Sequence, residues 1–219
     1  HSRIDPSGVP LAKPRVALSA ASPRADYRAV GFPLQSLTRN AVLVFCSLAL
    51  SSQRISAQEI DLRTYDYSMV DSAAIALQVP SNTSSTELAA LITRGLDKDH
   101  ERFRAIFIWV AHNIEYKWGS YGSDPDKILK RKKAVCEGYA SLLTSLCNAA
   151  GIECRTINGF AKSFADLHAE LDLSKPNHAW NAVKLQGKWY VTDVTWAAGG
   201  YDLKNRKFFR EYNEVYFLP

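Results

Sequence analysis

The sequence predicts a domain that mixes helices with strands, and three observations predict it. The stretch NHAWNAVKLQGKWYVTDVTW, Asn177 to Trp196, sets aromatic and β-branched residues around Gln186-Gly187, which is a hairpin signal. Cys136 to Ala150 carries Tyr139, Ala140, Leu143, Leu146, Cys147 and Ala150 at helical spacing. Asp99 to Tyr116 has the same period in Phe103, Ile106, Phe107, Val110 and Ile114.

Composition sets the scale. The chain has 219 residues, 47% hydrophobic and 22% charged, which suits one globular domain with a core, plus tails. The formal charge of +5 is mild, and much of it lies in the N-terminal tail and in Lys130-Arg131-Lys132-Lys133. With no helix-turn-helix signal and no basic patch interleaved with aromatics, nucleic acid is not an expected partner.

The N-terminal third reads differently from the rest. The first residue is His1 and the only Met is Met69, so the sequence reads as starting inside a larger product, at a tag remnant, or upstream of a natural start. Residues 1–38 are rich in proline without periodicity and are expected to be disordered. Arg39 then flanks the largely apolar run Ala41–Leu50, which suits the core of a signal peptide and is too short to span a bilayer. Cleavage is expected after Ala57, and the competing reading of the run is a short buried strand. Cys46 follows Phe45, where lipidation needs a small residue. The expected organisation is a disordered segment with a signal peptide over residues 1–57 (the signal at 39–57) and a folded domain over 58–219. That predicts export to the periplasm or outside the cell, without stable membrane insertion.

The folded domain divides by its turn signals. Residues 58–82 read as an extended lead-in ended by Pro80-Ser81-Asn82. Ser85–Leu96 reads as a short helix capped by Ser84 or Ser85, with Glu87 in its first turn and Gly95 near its end. The longer helix from Asp99 carries His100 and His112, read as surface or packing residues. Trp118–Lys127 is a loop by its Gly, Ser and Pro content. Gly151 stops the Cys136 helix, Ile152–Ala161 reads as a strand, and residues 164–174 as a variable loop. The final FFREYNEVYFLP reads as a chain cut inside a domain.

The hairpin places the first chemistry. If Gln186-Gly187 is a two-residue loop, Leu185 faces Lys188, Asp193 faces Trp180 and His178 faces Thr195. Then His178, Trp180, Trp189, Val191, Asp193 and Thr195 share one face, and His178 and Asp193 are diagonal neighbours. A three-residue loop would put the two on opposite faces. An Asp beside a His accepts the Nδ1 proton and leaves Nε2 free as a base. The competing reading is a satisfied structural pair in a buried sheet.

Cys136 supplies the third group. It stands at the start of its helix, where first-turn N–H groups and the dipole favour an anion, and Arg131, Lys132 and Lys133 add positive potential. Both effects favour the thiolate, the nucleophilic form. The Cys136 N–H is positioned to donate to an oxyanion. Cys147 and Cys154 fit a disulfide or two small buried residues, and burial is the preferred reading. The spacing of the three thiols does not match a zinc knuckle or ribbon.

Together these motifs resemble the transglutaminase-like superfamily, including its secreted microbial and kyphoscoliosis-peptidase-like members, over roughly residues 100–215. The resemblance rests on C-x-G-Y-A at Cys136–Ala140, N-H-A-W-N at Asn177–Asn181 and D-x-T-W at Asp193–Trp196. It implies an α+β fold with a papain-like arrangement, a Cys-bearing helix packed on an antiparallel sheet or barrel. It also implies Cys136 as nucleophile, His178 as general base and Asp193 as its orienting partner. Trp180, Trp196 and Tyr139 are the expected substrate-contacting residues. The implied reaction is acyl transfer from an amide or peptide bond of a protein or peptide substrate, through a thioester that water or an amine resolves. A binding or scaffold domain that keeps the fold without turnover is the alternative. Arylamine acetyl transfer would want an R-G-G-x-C context and deglycosylation extra zinc cysteines, and neither pattern occurs. No calcium loop of the D-x-D-x-D-G type is present, so no metal or other cofactor is expected.

Overall fold

The computed structural model describes residues 60–119, 121–162, 170, 172–202 and 204–219. The expectations for residues 1–57, and most of the loop at 164–174, fall outside the described residues.

The core is built around one helix. Helix α3 (Asp99–Asn113) is buried from Phe103 through Ala111, so its neighbours cover it on every side. Helix α1 (Ser68–Ala76) lies against it, where the sequence suggested an extended lead-in. Its apolar pattern is weak, and a tertiary contact holds it: Arg104 of α3 donates through Nε and Nη2 to both oxygens of Asp71, each at 2.7 Å. The same guanidinium donates to Glu214 near the C-terminus and lies over the Phe217 ring at 4.4 Å. Helix α2 (Ser85–Ile92) starts with the reciprocal cap the sequence suggests. Ser84 Oγ accepts from the Glu87 N–H, and Glu87 accepts from the Ser84 N–H. It ends earlier than the spacing suggested, at Ile92.

Between α3 and the cysteine helix the chain makes a clasp. Strand β1 (Glu115–Tyr116) pairs in parallel with β2 (Lys133–Ala134), and helix α4 (Pro125–Arg131) fills the connection. Asp124 caps α4 by accepting from the Lys127 N–H, with Pro125 at the first helical position. Strand β2 runs straight into helix α5 (Cys136–Ala149). Gly138, in the first turn of α5, makes that close approach possible: a Cβ there would stand 2.8 Å from the Ala134 Cβ. This is the physical content of the glycine in C-x-G-Y-A.

A three-stranded antiparallel sheet covers α5, in the order β3 (Cys154–Gly159), β4 (His178–Leu185), β5 (Lys188–Thr192). The turn is the two-residue loop expected from sequence. Gln186 and Gly187 both have positive φ, 51° and 76°, which defines a type I′ turn, and Leu185 pairs with Lys188. Ala179, Asn181, Val183 and Leu185 face inward and are buried, while His178, Trp180, Ala182 and Lys184 face the open side. Asn181 ties the sheet to α5 by donating to the Ala140 carbonyl and to Thr144 Oγ1, both at 2.9 Å.

The ladder stops sooner than the pattern implied. Strand β5 ends at Thr192, and residues Val194–Ala198 form a short helix, α6, instead of continuing the strand. The cause is local: Asp193 turns its carboxylate onto the N–H groups of Thr195 and Trp196 and caps the helix. A second hairpin follows, β6 (Gly199–Asp202) with β7 (Lys207–Arg210). The last turn, Glu214–Tyr216, then folds back so that Phe217 and Leu218 join the core. Asn181, Thr192, Asp193 and Thr195 are the buried polar side chains of the sheet and its cap. The architecture is α+β, with helices on the inner face of an antiparallel sheet.

Candidate active site

Three side chains from three elements meet at one end of the sheet. Cys136 is the first residue of α5, His178 the first of β4, and Asp193 the cap of α6. His178 Nε2 and Asp193 Oδ2 are 2.6 Å apart, with side chains 9% and 11% exposed. The other carboxylate oxygen, Oδ1, accepts from the N–H groups of Thr195 and Trp196 at 3.0 Å each. One oxygen therefore fixes the helix and the other fixes the imidazole.

The nitrogen that meets Asp193 differs from the expectation. Nε2 rather than Nδ1 faces the carboxylate, which leaves Nδ1 for the sulfur. The reason is position along the side chain. Cys136 lies close to the backbone of β4, where the Ala179 N–H also donates to its sulfur, so the ring nitrogen nearer the backbone meets the thiol.

The electrostatics follow from these contacts. Burial pushes the Cys136 thiol up. The hydrogen bond and charge of His178 and the N–H groups of Ala179 and Glu137 outweigh it, and the thiol sits below its ordinary value. Burial alone would lower His178, but the hydrogen bonds and negative charges of Asp193 and Cys136 push it up to about 9. Both shifts favour the thiolate–imidazolium form of the pair. The three basic residues before Cys136 are engaged elsewhere. Arg131 donates to the carbonyls of Lys133 and Gly122, Lys132 lies over the Trp109 ring, and Lys133 pairs with Glu115. The favoured thiolate rests on His178 and backbone donors instead.

The aromatic residues divide. Trp196 stacks on His178 with ring centroids 4.7 Å apart and planes 17° off parallel, and Trp180 stacks at 5.8 Å and 29°. Tyr139, expected to contact substrate, is instead fully buried, and its hydroxyl donates to the Ile114 carbonyl at 2.6 Å. It stands on the core side of α5, where a partnered phenol joins helix to helix. Sequence reasoning missed Tyr116. It pairs with Ala134 in the clasp, and burial followed by the charges of Cys136 and Tyr201 pushes its hydroxyl up to about 12. A parallel pairing of two-residue strands leaves no periodicity by which to find it. Among the described residues no group of three or more His, Cys, Asp or Glu side chains is placed to hold a metal ion, and no helix is long and apolar enough to cross a membrane.

A helix-start thiol, a strand-start imidazole and a carboxylate beyond it define a class, and the comparisons name that class. Residues 86–194, which include all three side chains, match the transglutaminase-like superfamily, and this domain belongs to it. The chain is 35% identical over 170 residues to kyphoscoliosis peptidase of Mus musculus, covering 75% of this chain and 25% of that protein. It is 28% identical over 177 residues to the Lim and transglutaminase domain protein ltd-1 of Caenorhabditis elegans, covering 74% and 24%. The chain thus spans about a quarter of the length of these relatives. Among solved structures, the periplasmic domain of TgpA from Pseudomonas aeruginosa aligns with a TM-score of 0.42 at 19% identity, covering 61% of this chain and 49% of that one.

Proposed function

We propose that this domain is a cysteine acyl-transfer enzyme that opens amide or peptide bonds of a protein or peptide through a thioester on Cys136. The observation that carries the reading is the cluster itself, a helix-start thiol in contact with a His178 imidazole that Asp193 holds at 2.6 Å. The Cys136 thiolate attacks the carbonyl carbon, and the carbonyl oxygen becomes an oxyanion. The Cys136 N–H, at the first position of α5 and without an intrahelical partner, is the donor available for that charge. His178, protonated on Nδ1, gives its proton to the leaving amine as the carbon–nitrogen bond breaks. The neutral Nδ1 then accepts a proton from water or from an incoming amine, which attacks the thioester and restores the thiolate. Asp193 holds Nε2 throughout and fixes the tautomer.

A peptidase among the chain's relatives favours water as the acceptor. A non-catalytic binding domain is the second reading, favoured by the quarter-length overlap with larger relatives, one of them named for a Lim as well as a transglutaminase domain. Incubation with a panel of glutamine-containing peptides, with hydroxylamine as trapping nucleophile, separates the two. The expected result is an acyl adduct on Cys136 by intact mass, hydroxamate release, and loss of both in Cys136→Ala. A protein whose Cys136 alkylates rapidly with iodoacetamide yet never forms an adduct or hydroxamate would be a binding domain.

A further inference from the structure

We infer that Trp180 and Trp196 are positioning residues that hold the His178 imidazolium by their ring faces, and that Gly159 is the position that admits Trp180. The inference deepens the acyl-transfer reading and rests on it.

The two indoles reach His178 from different elements. Trp180 lies two residues along β4 on the same open face, and Trp196 is brought in by α6. Their ring centroids stand 5.8 and 4.7 Å from that of the imidazole, with planes 29° and 17° off parallel. A cation within about 6 Å of an indole face is attracted by the ring quadrupole. The Trp196 backbone N–H donates to Asp193 Oδ1, so the carboxylate that meets the imidazole also anchors the first turn that carries this indole.

Gly159 is the less expected member. It pairs with His178 in the β3–β4 ladder. A Cβ built there would stand 2.3 Å from Trp180 Cη2 and 3.1 Å from Cζ3. The indole therefore lies across the glycine, in space any side chain would fill. Its backbone is not in the left-handed region, so the constraint is the ring above it. The titratable groups facing His178 are Cys136 from α5 and Asp193 from the cap of α6. Strand β3 brings Gly159 opposite His178, and Tyr116 of β1 lies within electrostatic range of Cys136. Burial works against the charged imidazole, and two carbon-rich walls that merely excluded water would add to that cost. Two π faces exclude water and still favour the cation. They keep the proton on His178 for the leaving amine.

A double-mutant cycle on the full chain tests this, read by the NMR titration of the His178 imidazole. In Trp180→Leu, which keeps the apolar wall but removes the ring, the His178 midpoint is expected to fall by roughly 0.5–1 pH unit. In Trp180→Phe it is expected to fall less. Gly159→Ala is expected to lower it in the same direction, and to have no further effect in a Trp180→Leu background. The alkaline limb of kcat moves down with the midpoint. An unchanged His178 titration in folded Trp180→Leu overturns the inference, as does a Gly159→Ala effect that persists undiminished without Trp180. Should Trp180→Leu fail to fold, Trp180→Phe and its cycle with Gly159→Ala decide it. The titration needs no substrate. Absence of acyl transfer in the wild type would overturn the enzyme reading while leaving the titration to judge the aromatic contacts.

Discussion

Cys136 and Cys147 lie on the same helix, about three turns apart, and are opposite kinds of thiol. Cys136, at the first turn, is partly exposed and sits below its ordinary pKa because His178 and backbone N–H groups face its sulfur. Cys147, near the last turn, is fully buried, and burial followed by contact with Cys154 holds it well above. The residue type and the helix are shared. Two things differ: the dipole favours an anion at the first turn and opposes one near the last, and what stands opposite is the open end of the sheet in one case and the sealed seam between α5 and β3 in the other. Nucleophilicity here belongs to a location, and a cysteine moved along its own helix loses it.

The largest expected effect tests that contrast directly. Iodoacetamide at neutral pH should label Cys136 on the order of 10³-fold faster than Cys147, because Cys147 must await an opening that costs several kcal/mol. Peptide mapping against time reads the ratio. Comparable rates in the folded protein would erase the contrast and with it the nucleophile assignment.

Next in size is Asp193→Asn. The N–H groups of Thr195 and Trp196 need an acceptor, so the amide oxygen takes the cap and the NH₂ turns to His178 Nε2. That donor places the remaining ring proton on Nδ1 of a neutral imidazole, which cannot accept the thiol proton. Turnover should drop roughly 10²–10³-fold, about 3–4 kcal/mol of barrier, with the melting temperature nearly unchanged. A large loss of melting temperature with normal specific activity would make Asp193 a scaffold residue alone. Asp193→Ala adds the lost cap, about 1 kcal/mol of stability, to the same catalytic defect. Thermal unfolding of the two variants side by side sharpens the division of labour between the two carboxylate oxygens.

The pH dependence sharpens the thiol comparison. His178 is raised to about 9, so the stability it contributes is complete below its ordinary value of 6.5 and is lost as pH rises through about 9. Cys136 is depressed, so its contribution is present above its ordinary value of 9.0 and is lost as pH falls through its lowered one. The ion pair therefore exists between the depressed thiol and about 9, and the two steps belong to the pair. A kcat/KM profile should fall on its alkaline side near 9, where the leaving amine loses its proton donor. A plateau continuing well beyond that would remove His178 from the acid role.

The smallest expected effect is Cys147→Ala. It removes a buried sulfur beside Cys154 without touching the open end of the sheet. Stability should fall by about 1 kcal/mol, read as a lower melting temperature, and specific activity of the folded protein should hold. A selective loss of activity would mean that the seam and the site are coupled through α5.

The sequence by itself determined the local parts. Helix α5 begins at Cys136 because the apolar period begins there, and Ser84 with Glu87 closes the reciprocal cap of α2. The Gln186-Gly187 turn fixes register, so His178 and Trp180 share the open face as the alternation requires. The motif carries Cys136, His178 and Asp193 because each acts through a distinctive residue type at an element's end. Tertiary structure decided what period and propensity do not encode. Asp193 ends β5 and starts α6 by choosing backbone donors two and three residues ahead, a choice open to any Asp at a strand end. Helix α1 exists because Arg104 takes Asp71 across 33 residues of sequence. Tyr139 belongs to the core because the clasp brings the Ile114 carbonyl to its hydroxyl, and the same clasp brings Tyr116 within electrostatic range of Cys136. Which nitrogen of His178 meets the sulfur follows from how far along the side chain Cys136 lies, a distance set only when α5 seats on the sheet. Local sequence fixes the direction of a side chain within its own element, and the packing of elements fixes what it meets.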